Sequence, residues 1–341
     1  MIRHSDLYSN IISRDSLFNA YLAARKGKRA KNSCDKFERR LGHHIDDLHE
    51  RLSNGLYEPK KPNSFYVHEP KKRLIEAPAF ADLVVQHCVY RILMPIFDRT
   101  FSASSFACRV GYGTHLACDK LQDGLRATSR DGWIVKIDCK KYFYSIDRAI
   151  LKSLLERKIK CVKTVNLAML FCVRDEDLGI PIGNLLSQMY GLIYLNEADQ
   201  YIKRVLKVKN YCRYVDDLVM FAESKAEADF LHDAVKMFLL EQLHLNISKS
   251  TVTHISKGIN AFGFRTWRSS RFIRKRSLYV AARALKEGRH ESFISCLGHA
   301  KYTNSKQHLL RMVQERGDGR FSKIPKSLRI HYSPQAALRI S

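Results

Sequence analysis

Apolar residues recur at three- and four-residue spacing along much of the chain, a period typical of amphipathic helices. Up to about residue 62 this spacing predicts helical segments, one through Leu17 and Tyr21 and another from Phe37 to Leu52. Further helices are predicted by the same spacing or by a capping residue: Leu83 to Leu93, closed by Pro95; a helix that begins at Arg148 after the cap Asp147; Leu185 to about Leu206; and Lys225 to Leu243.

Shorter runs of β-prone residues lie between these helices and predict strands. Trp133 to Asp138 is a strand that ends in an aspartate, and Phe65 to Pro78 is two short strands joined by a basic turn. Two more strands are predicted around Thr251 to Ile255 and Ile259 to Phe264. We find no internal repeat and no low-complexity tract in the sequence.

The most informative stretch runs from Tyr211 to Phe221, where two apolar runs are separated by Asp216 and Asp217 alone. This pattern predicts a tight hairpin with both aspartates at its tip, because Asp tolerates the backbone angles of such a turn. Adjacent carboxylates repel each other unless solvent or a cation neutralises them, and Mg²⁺ prefers oxygen ligands of this kind. A solvated turn is the alternative, since Tyr-x-Asp-Asp alone is a weak signal.

The charge balance is the strongest compositional signal: 59 Lys and Arg against 34 Asp and Glu in 341 residues give a net charge of +25. Such an excess indicates a polyanionic partner, most commonly nucleic acid. The 45% hydrophobic content is otherwise that of an ordinary globular protein. We predict no membrane role, because no basic amphipathic helix stands out and no run approaches the length that crosses a bilayer.

Nine scattered cysteines, with no Cys-x-x-Cys pair among them, predict reduced thiols rather than a disulfide framework or a zinc site. The segment from Met1 to Leu17 lacks the apolar core of a signal peptide. We therefore expect a cytoplasmic protein.

Two basic segments are candidates for contact with nucleic-acid phosphates, with a solubilising surface loop as the alternative interpretation of the first. From Arg265 onward basic residues outnumber acidic ones among helical patterns, which predicts a separate lobe that grips nucleic acid. The candidate residues are Arg25, Lys26, Lys28 and Arg29 in the first segment and Arg274, Lys275 and Arg276 in the second.

If the strand ending at Asp138 and the hairpin at Asp216 and Asp217 share one sheet, three carboxylates converge on one spot. Two-metal phosphoryl transfer needs such an arrangement, with two Mg²⁺ ions activating a 3′-hydroxyl and holding a triphosphate. Asp138 and Asp216 are then the expected ligands of both metals, and Asp217 is either a ligand or an outer charge. The backbone carbonyl of Cys139 is a further candidate oxygen.

Phe143 stands five residues after Asp138. An aromatic ring beneath an incoming sugar would leave no room for a 2′-hydroxyl and would select deoxynucleotides. Core packing is the alternative, since Tyr142 and Tyr144 show that aromatic residues are plentiful here.

Taken together, these motifs resemble the reverse transcriptases. In chain order they are Arg73-Leu74-Ile75, Asp138 with Phe143, Gly183-x-x-x-Ser187-Gln188, Tyr214-Val215-Asp216-Asp217, Asn246-x-x-Lys249 and Phe262-Gly263-Phe264.

One departure narrows the resemblance. Group II intron, retron and retroviral enzymes usually carry Pro-Gln-Gly, followed in the first two by Ser-Pro, where this chain has Pro181-Ile182-Gly183 and then Ser187-Gln188. The Ile-Gly-x-x-x-Ser-Gln pattern resembles the reverse transcriptases of diversity-generating retroelements, the mutagenic enzymes of bacteria and their phages. The resemblance covers about residues 10 to 315.

The resemblance implies an α+β right-hand polymerase fold with fingers, a palm built on an antiparallel sheet and a short helical thumb. We expect residues 1–62 to be an N-terminal helical extension and 63–130 to complete the fingers. Residues 131–265 would form the palm, with 181–210 partly a fingers–palm helix, and 266–341 the basic thumb and tail. The implied cofactor is a pair of Mg²⁺ ions, with Mn²⁺ as a substitute.

The resemblance also implies roles for residues around the incoming dNTP. Arg73 would contact the triphosphate, and Ile182 would line the pocket beside the nascent base pair. Lys249 is either a general acid for pyrophosphate, a phosphate contact or a solvated surface lysine. Lys72 and Gln188 complete the predicted dNTP-binding set.

The implied partners are a structured template-repeat RNA, the RNA–cDNA duplex, dNTPs and a small basic accessory variability protein that forms a pentamer. The alternatives are a retron-like or phage-defence reverse transcriptase, and a basic RNA-binding scaffold that has lost chemistry. Intact Asp138, Asp216 and Asp217 argue against the scaffold.

Overall fold

The computed structural model describes residues 3–68, 71–174 and 176–316. Within these residues the helices are α1 Leu7–Ile12, α2 Arg14–Ala24, α3 Asn32–Glu38, α4 Leu41–Ser53, α5 Phe80–Asp98, α6 Thr114–Ala127, α7 Tyr142–Ser145, α8 Arg148–Glu156, α9 Val162–Leu170, α10 Leu185–Gln200, α11 Lys225–Leu243, α12 Lys275–Lys286, α13 His290–His299 and α14 Ser305–Arg316. The strands are β1 Asn63–Val67, β2 Arg73–Ala77, β3 Trp133–Cys139, β4 Tyr211–Tyr214, β5 Asp217–Ala222, β6 Ile247–His254, β7 Ile259–Ala261, β8 Phe264–Thr266 and β9 Arg271–Ile273.

Four strands form a central sheet in the order β4-β5-β3-β6, and each neighbouring pair is antiparallel. The strand that ends in Asp138 therefore lies between the second strand of the hairpin and β6. The expected pairing of these elements in one sheet is confirmed. Two smaller antiparallel sheets, β1-β2 and β7-β8-β9, flank the central one in sequence.

The central sheet separates two apolar cores, because successive side chains of a strand point to opposite faces. On one face, Val135 and Ile137 pack with α5, α8, α10 and α11. On the other, Ile134 packs with α6 and with the C-terminal elements β7 to α14. Lys136 and Asp138 alternate with the first pair and so lie on this second face.

Most predicted helices are present, and α11 has the predicted bounds because its signals are local. The Ser224 side chain accepts the Glu227 N–H at its start. The predicted cap Asp147 likewise accepts the Ala149 and Ile150 N–H groups of α8. The helix after residue 185 ends in a π-helical turn, Tyr201–Val205.

The predicted end of α5 at Pro95 is wrong, since the helix continues to Asp98 with Pro95 inside it. Proline removes one backbone hydrogen bond from a helix. Continuation is favoured here because Met94 and Phe97, on either side of Pro95, are buried in the first core.

Helix α5 also corrects the expectation that no segment approaches membrane-spanning length. In the described part of the chain, Phe80–Asp98 is the one helix that is long and apolar enough to cross a membrane, judged by length and composition alone. It is a core helix of this fold, with buried polar groups satisfied by the protein. Asp82 accepts hydrogen bonds from the Tyr57 hydroxyl and the Lys60 N–H, and Gln86 accepts one from Leu185.

The strand predicted from Ile259 to Phe264 is wrong, because this segment is a hairpin. Phe262 and Gly263 form its turn, with φ of 53° and 92°, between β7 and β8. A two-residue loop with both φ angles positive is typical of a tight hairpin turn. The strand predicted around Thr251 to Ile255 is the second half of the longer β6, which ends at His254, and β9 was missed.

The C-terminal region does not form a separate lobe around its own core. Phe293 and Leu297 of α13 share the second core with Leu121 of α6 and with Phe221 of the central sheet. The sheet β7-β8-β9 also crosses residue 265, so strands on both sides of that expected boundary belong together. The basic tail after residue 316 lies outside the described residues.

Candidate active site

Strand pairing brings the separated carboxylates together. In the antiparallel register, Asp138 is directly opposite Asp217, so both side chains lie on the second face of the sheet. Asp216 precedes Asp217 in the turn, and all three residues are only partly buried. The carboxylates expected to converge are thus at one end of β3 and β5.

The turn of the hairpin differs by one residue from the prediction. Tyr214 pairs with Asp217, so the connecting residues are Val215 and Asp216, and Asp217 belongs to β5. Val215, rather than an aspartate, has the left-handed backbone, with φ of 56°. This is unusual for a β-branched residue and is tolerated only where the surrounding structure fixes it.

A buried ion pair fixes this turn. The Arg213 guanidinium contacts Asp199 of α10 at 2.6 and 2.8 Å, and both side chains are fully buried. The same guanidinium donates to the Val215 carbonyl at 2.9 Å, while Asp199 also accepts from the Tyr211 hydroxyl. Sequence reasoning missed this support; a lone Arg within an apolar strand was its only signal.

Lys136 is a second residue that sequence reasoning missed. It is two positions before Asp138 on β3 and so faces the same side. Its Nζ is 3.0 Å from Asp217 Oδ1 and donates to the Asn260 carbonyl at 3.2 Å. Asp217 is therefore already paired with a cation of the protein.

On its other side, Asp138 is opposite Lys249 of β6. The Ser248 hydroxyl donates to the Asp138 carboxylate, and a β-bulge follows between Asp138 and Cys139. Lys249 is exposed and faces the same side of the sheet as Asp138, since residues directly opposite share a face.

The protein raises the pKa of the Asp216 carboxyl group. Burial, and then the negative charges of Asp138 and Asp217, raise its pKa from 3.8 to about 6. Its own backbone N–H and the positive charge of Arg73 act in the opposite direction. Burial and the two neighbouring carboxylates disfavour the charged form of Asp216, and a bound cation would stabilise that form.

The donor set fits a hard divalent cation, because it consists of carboxylate and backbone oxygens. No three His, Cys, Asp or Glu side chains within residues 3–68, 71–174 and 176–316 are already arranged around a metal position. Asp217 instead contacts Lys136, and Asp138 accepts a hydrogen bond from Ser248. Burial raises the pKa of the Cys139 thiol, which leaves only its carbonyl as a candidate ligand.

Three segments assemble beside the carboxylates. The Glu76 N–H on β2 donates to the Ile182 carbonyl at 2.7 Å, and the Ile180 N–H donates to the Phe143 carbonyl at 2.8 Å. The Tyr144 hydroxyl donates to the Leu74 carbonyl at 3.0 Å. The strand of Arg73, the segment of Phe143 and the loop of Ile182 are thus tied to one another.

Within this assembly, Phe143 is half-buried and its ring lies against α10. A Cβ added at Gly191 would be 3.1 Å from the Phe143 ring, so Gly191 permits this close approach. Ile182 is also half-buried. Gly183 beside it has φ of 106°, and a Cβ there would be 2.7 Å from Ile75, so the turn requires glycine.

The other predicted dNTP contacts are exposed. Arg73 is exposed, and its positive charge acts to lower the pKa of the Asp216 carboxyl. The Lys72 Nζ is 4.3 Å from the centre of the Tyr66 ring. Gln188 faces a cleft of about 830 Å³ that is lined also by Lys26 and Lys28.

The two basic segments differ in how free their charges are. Arg25 is engaged within the protein, 3.3 Å from Glu38 and hydrogen-bonded to the Tyr21 hydroxyl, so its charge is already compensated. Lys26 and Arg29 are exposed, and Lys28 is partly so. Arg274, Lys275 and Arg276 are exposed at the start of α12.

The antiparallel central sheet has carboxylates at one end and the segments of Arg73, Phe143 and Ile182 beside them, an arrangement typical of a template-directed polymerase of the right-hand class. Residues 59–273 match the family described as reverse transcriptase (RNA-dependent DNA polymerase). This match covers more than half of the chain, which therefore belongs to that family. It is an RNA-directed DNA polymerase by family, and the family uses divalent metal ions, typically Mg²⁺.

Several known proteins are similar to the chain. Protein YkfC of Escherichia coli is 26% identical over 295 residues, covering 72% of this chain and 75% of YkfC. The group II intron-encoded protein LtrA of Lactococcus lactis is 24% identical over 340 residues, or 76% of this chain and 56% of LtrA.

Among solved structures, telomerase from Candida albicans, in complex with a fragment of telomeric RNA, has a TM-score of 0.51 at 14% identity. The match covers 79% of this chain and 55% of the telomerase chain. The chain thus spans little more than half the length of LtrA and of telomerase. The likeness to telomerase supports the fold.

Proposed function

We propose that this protein is the mutagenic reverse transcriptase of a diversity-generating retroelement, which copies a template-repeat RNA into cDNA with errors at template adenines. The observation that carries the proposal is Ile182 in the loop tied to β2, where most relatives have Gln. A branched aliphatic side chain cannot make the hydrogen bonds of a Gln amide. Geometric checking of the nascent pair would therefore be weaker.

In the proposed reaction, Asp138 and Asp216 would hold two divalent ions, and the Cys139 carbonyl would be a further oxygen ligand. Bound there, the ions would lower the pKa of the attacking 3′-hydroxyl and neutralise charge on the triphosphate. Asp217 is proposed either as a further ligand or as a negative charge beside the metals, and Lys136 lies 3.0 Å from it.

The remaining roles belong to the residues around the incoming nucleotide. The exposed guanidinium of Arg73 contacts the triphosphate, and Lys72 and Gln188 line the path of the incoming dNTP. Phe143 excludes a 2′-hydroxyl. Lys249, opposite Asp138, contacts the leaving pyrophosphate or donates a proton to it.

The proposed partners are the template-repeat RNA, the RNA–cDNA duplex and a pentameric accessory variability protein. Fingers within residues 1–130, a palm to about residue 265 and a basic thumb beyond it remain the proposed division. Lys26, Lys28, Arg29 and the start of α12 are the proposed phosphate contacts, since their charges are exposed or partly exposed.

Primer extension on an RNA template with Mg²⁺ and all four dNTPs, followed by sequencing of the cDNA, tests the proposal. We expect errors concentrated at template adenines. If the enzyme alone synthesises no DNA, the accessory protein and cognate RNA are added. Faithful synthesis would contradict the mutagenic function and favour a retron-like enzyme. No synthesis in the complete mixture would favour an RNA-binding scaffold.

The Ile182→Gln variant tests the residue itself. We expect a lower error rate at template adenines with little change in errors at the other bases. Leu178→Gln, at an exposed site in the same loop region, is the matched control. An unchanged adenine error rate in Ile182→Gln would remove Ile182 as the cause.

A further inference from the structure

Arg174 lies in the connection between α9 and α10, the same connection that carries Ile182. Its side chain is only 4% exposed, although the segment around it is neither helix nor strand. Burying a charged group is costly unless the surrounding structure pairs it. The contacts of Arg174 therefore show which segments of the protein this guanidinium connects.

The first contact of Arg174 is with β2. Its Nε is 3.1 Å from Glu76 Oε2, and the Glu76 side chain is itself only 12% exposed. The backbone N–H of Glu76 donates to the Ile182 carbonyl at 2.7 Å, so β2 is held to this connection through both the side chain and the backbone of one residue. A second carboxylate, Glu176, is 3.0 Å from the Arg174 guanidinium but is 64% exposed, and solvent weakens such a pair.

The second contact is with the segment of Phe143. The Arg174 Cζ is 4.6 Å from the centre of the Tyr144 ring, a cation–π contact. The Tyr144 hydroxyl in turn donates to the Leu74 carbonyl of β2 at 3.0 Å. One buried guanidinium thus contacts two segments that also bind each other, and Phe143 is the residue next to Tyr144 in the chain.

We propose that Arg174 is a positioning residue of the dNTP pocket, which fixes β2 and the segment of Phe143 relative to the loop of Ile182. Because its side chain is buried, Arg174 acts through the segments that it holds rather than by touching the nucleotide. These segments are the ones proposed to bind the nucleotide, so loss of Arg174 should weaken nucleotide binding more than the chemical step. The inference rests on the proposed roles of Arg73 and Phe143 and is independent of the mutagenic function.

The test is single-nucleotide primer extension on an RNA template with Mg²⁺, comparing the full-length wild type with Arg174→Met. We expect the KM for the dNTP to rise about 10-fold while kcat stays within about 3-fold of wild type, because binding geometry rather than chemistry is disturbed. The ratio of kcat/KM for rNTP to that for dNTP should rise about 5-fold, since the Phe143 ring is held less firmly. Neither KM nor this ratio depends on the amount of folded enzyme, so a loss of folded protein alone would change neither.

Arg157→Met is the matched control. Arg157 also pairs with a glutamate, at 2.7 Å, but it is 54% exposed at the end of α8, and its variant should keep the wild-type KM and nucleotide ratio. Arg174→Lys retains the charge beside Glu76 but loses the planar group over Tyr144, so its KM should be intermediate. Glu76→Gln should raise KM as well, and adding it to Arg174→Met should raise KM little further, because both changes remove the same contact.

A wild-type KM and nucleotide ratio in Arg174→Met, or equal changes in Arg157→Met, would overturn the inference. If Arg174→Met does not fold, Glu76→Gln decides: a raised KM supports the positioning role, and a wild-type KM overturns it. Absence of incorporation by the wild type would remove the proposed polymerase function and this inference together, whereas an active wild type with an unchanged variant would remove the inference alone.

Discussion

The Lys136 Nζ lies 3.0 Å from Asp217 Oδ1 and so places a positive charge within the carboxylate cluster. Because Lys136 also donates to the Asn260 carbonyl on β7, the same side chain connects the carboxylate end of the sheet to the C-terminal elements. This pair sets the electrostatics of the proposed metal site, since a cation near a carboxylate opposes binding of a second cation there.

The first prediction removes that charge. Lys136→Met should lower the Mg²⁺ concentration for half-maximal primer extension by about 3- to 10-fold, because less positive charge then opposes the metal. The maximal rate should fall, since Asp217 loses the contact that orients it. A Mg²⁺ titration at saturating dNTP measures both. Lys136→Arg keeps the charge and should stay near wild type; an unchanged Mg²⁺ requirement in Lys136→Met would contradict the prediction.

Asp216→Asn tests the proposed metal ligand. Losing a charged ligand should reduce nucleotide incorporation by about 10³-fold or more, because an amide binds a divalent cation far more weakly. Steady-state primer extension measures the loss. Asp233→Asn is the control, since this aspartate is 76% exposed on α11. Comparable activity in the two variants would exclude Asp216 from the chemistry.

The pH dependence of stability tests the same carboxyl without metal. A folded-state pKa of about 6, above the ordinary 3.8, means that the folded protein binds this proton more tightly than the unfolded chain. The free energy of unfolding should therefore fall as pH rises from about 4 to 6, and the penalty remains in full above that range. At neutral pH the penalty is up to ~3 kcal/mol.

Asp216→Asn removes this titration. In chelator-treated protein, the variant should gain stability over wild type as pH rises from 4 to 7, measured by urea unfolding at each pH. The difference between the two proteins isolates this carboxyl from other titrating groups. A difference that stays constant across the range would show that the pKa of Asp216 is not raised.

Phe143→Ala tests sugar selection. Removing the half-buried ring should raise the ratio of rNTP to dNTP incorporation about 100-fold, because space opens for a 2′-hydroxyl. The ratio of kcat/KM values for the two nucleotide classes is the measurement, and it is insensitive to the amount of folded enzyme. Phe230→Ala, at an exposed position on α11, is the control. If Phe143 is only a core residue, stability falls while the ratio stays the same.

Asp199→Asn tests the support of the hairpin. Because the variant leaves the Arg213 charge buried without its partner, we expect a loss of about 3–5 kcal/mol in the free energy of unfolding. Asp46→Asn breaks an exposed ion pair with Arg14 and should cost less than ~1 kcal/mol. Urea unfolding of both variants measures the difference. Similar losses would mean that the buried pair does not hold the fold.

The sequence by itself determined the elements whose signals are local. Helix α11 has its predicted bounds because Ser224 caps it and its apolar spacing is regular. Asp147 was identified as a cap for the same reason. The three aspartates and the reverse transcriptase family could also be identified from the sequence, because the motifs are short and occur in a fixed order.

Only the tertiary structure decided the features that depend on strand pairing. The turn at Val215 and Asp216 is set by the register with β3 and by Arg213, which a local pattern of apolar and polar residues does not contain. Asp199 is 14 residues from Arg213, and Lys136 is 81 residues from Asp217. Side chains so far apart in the chain interact because backbone hydrogen bonds fix which residues face each other. The sequence therefore identified the residues of the proposed chemistry, and long-range pairing decided their electrostatic environment.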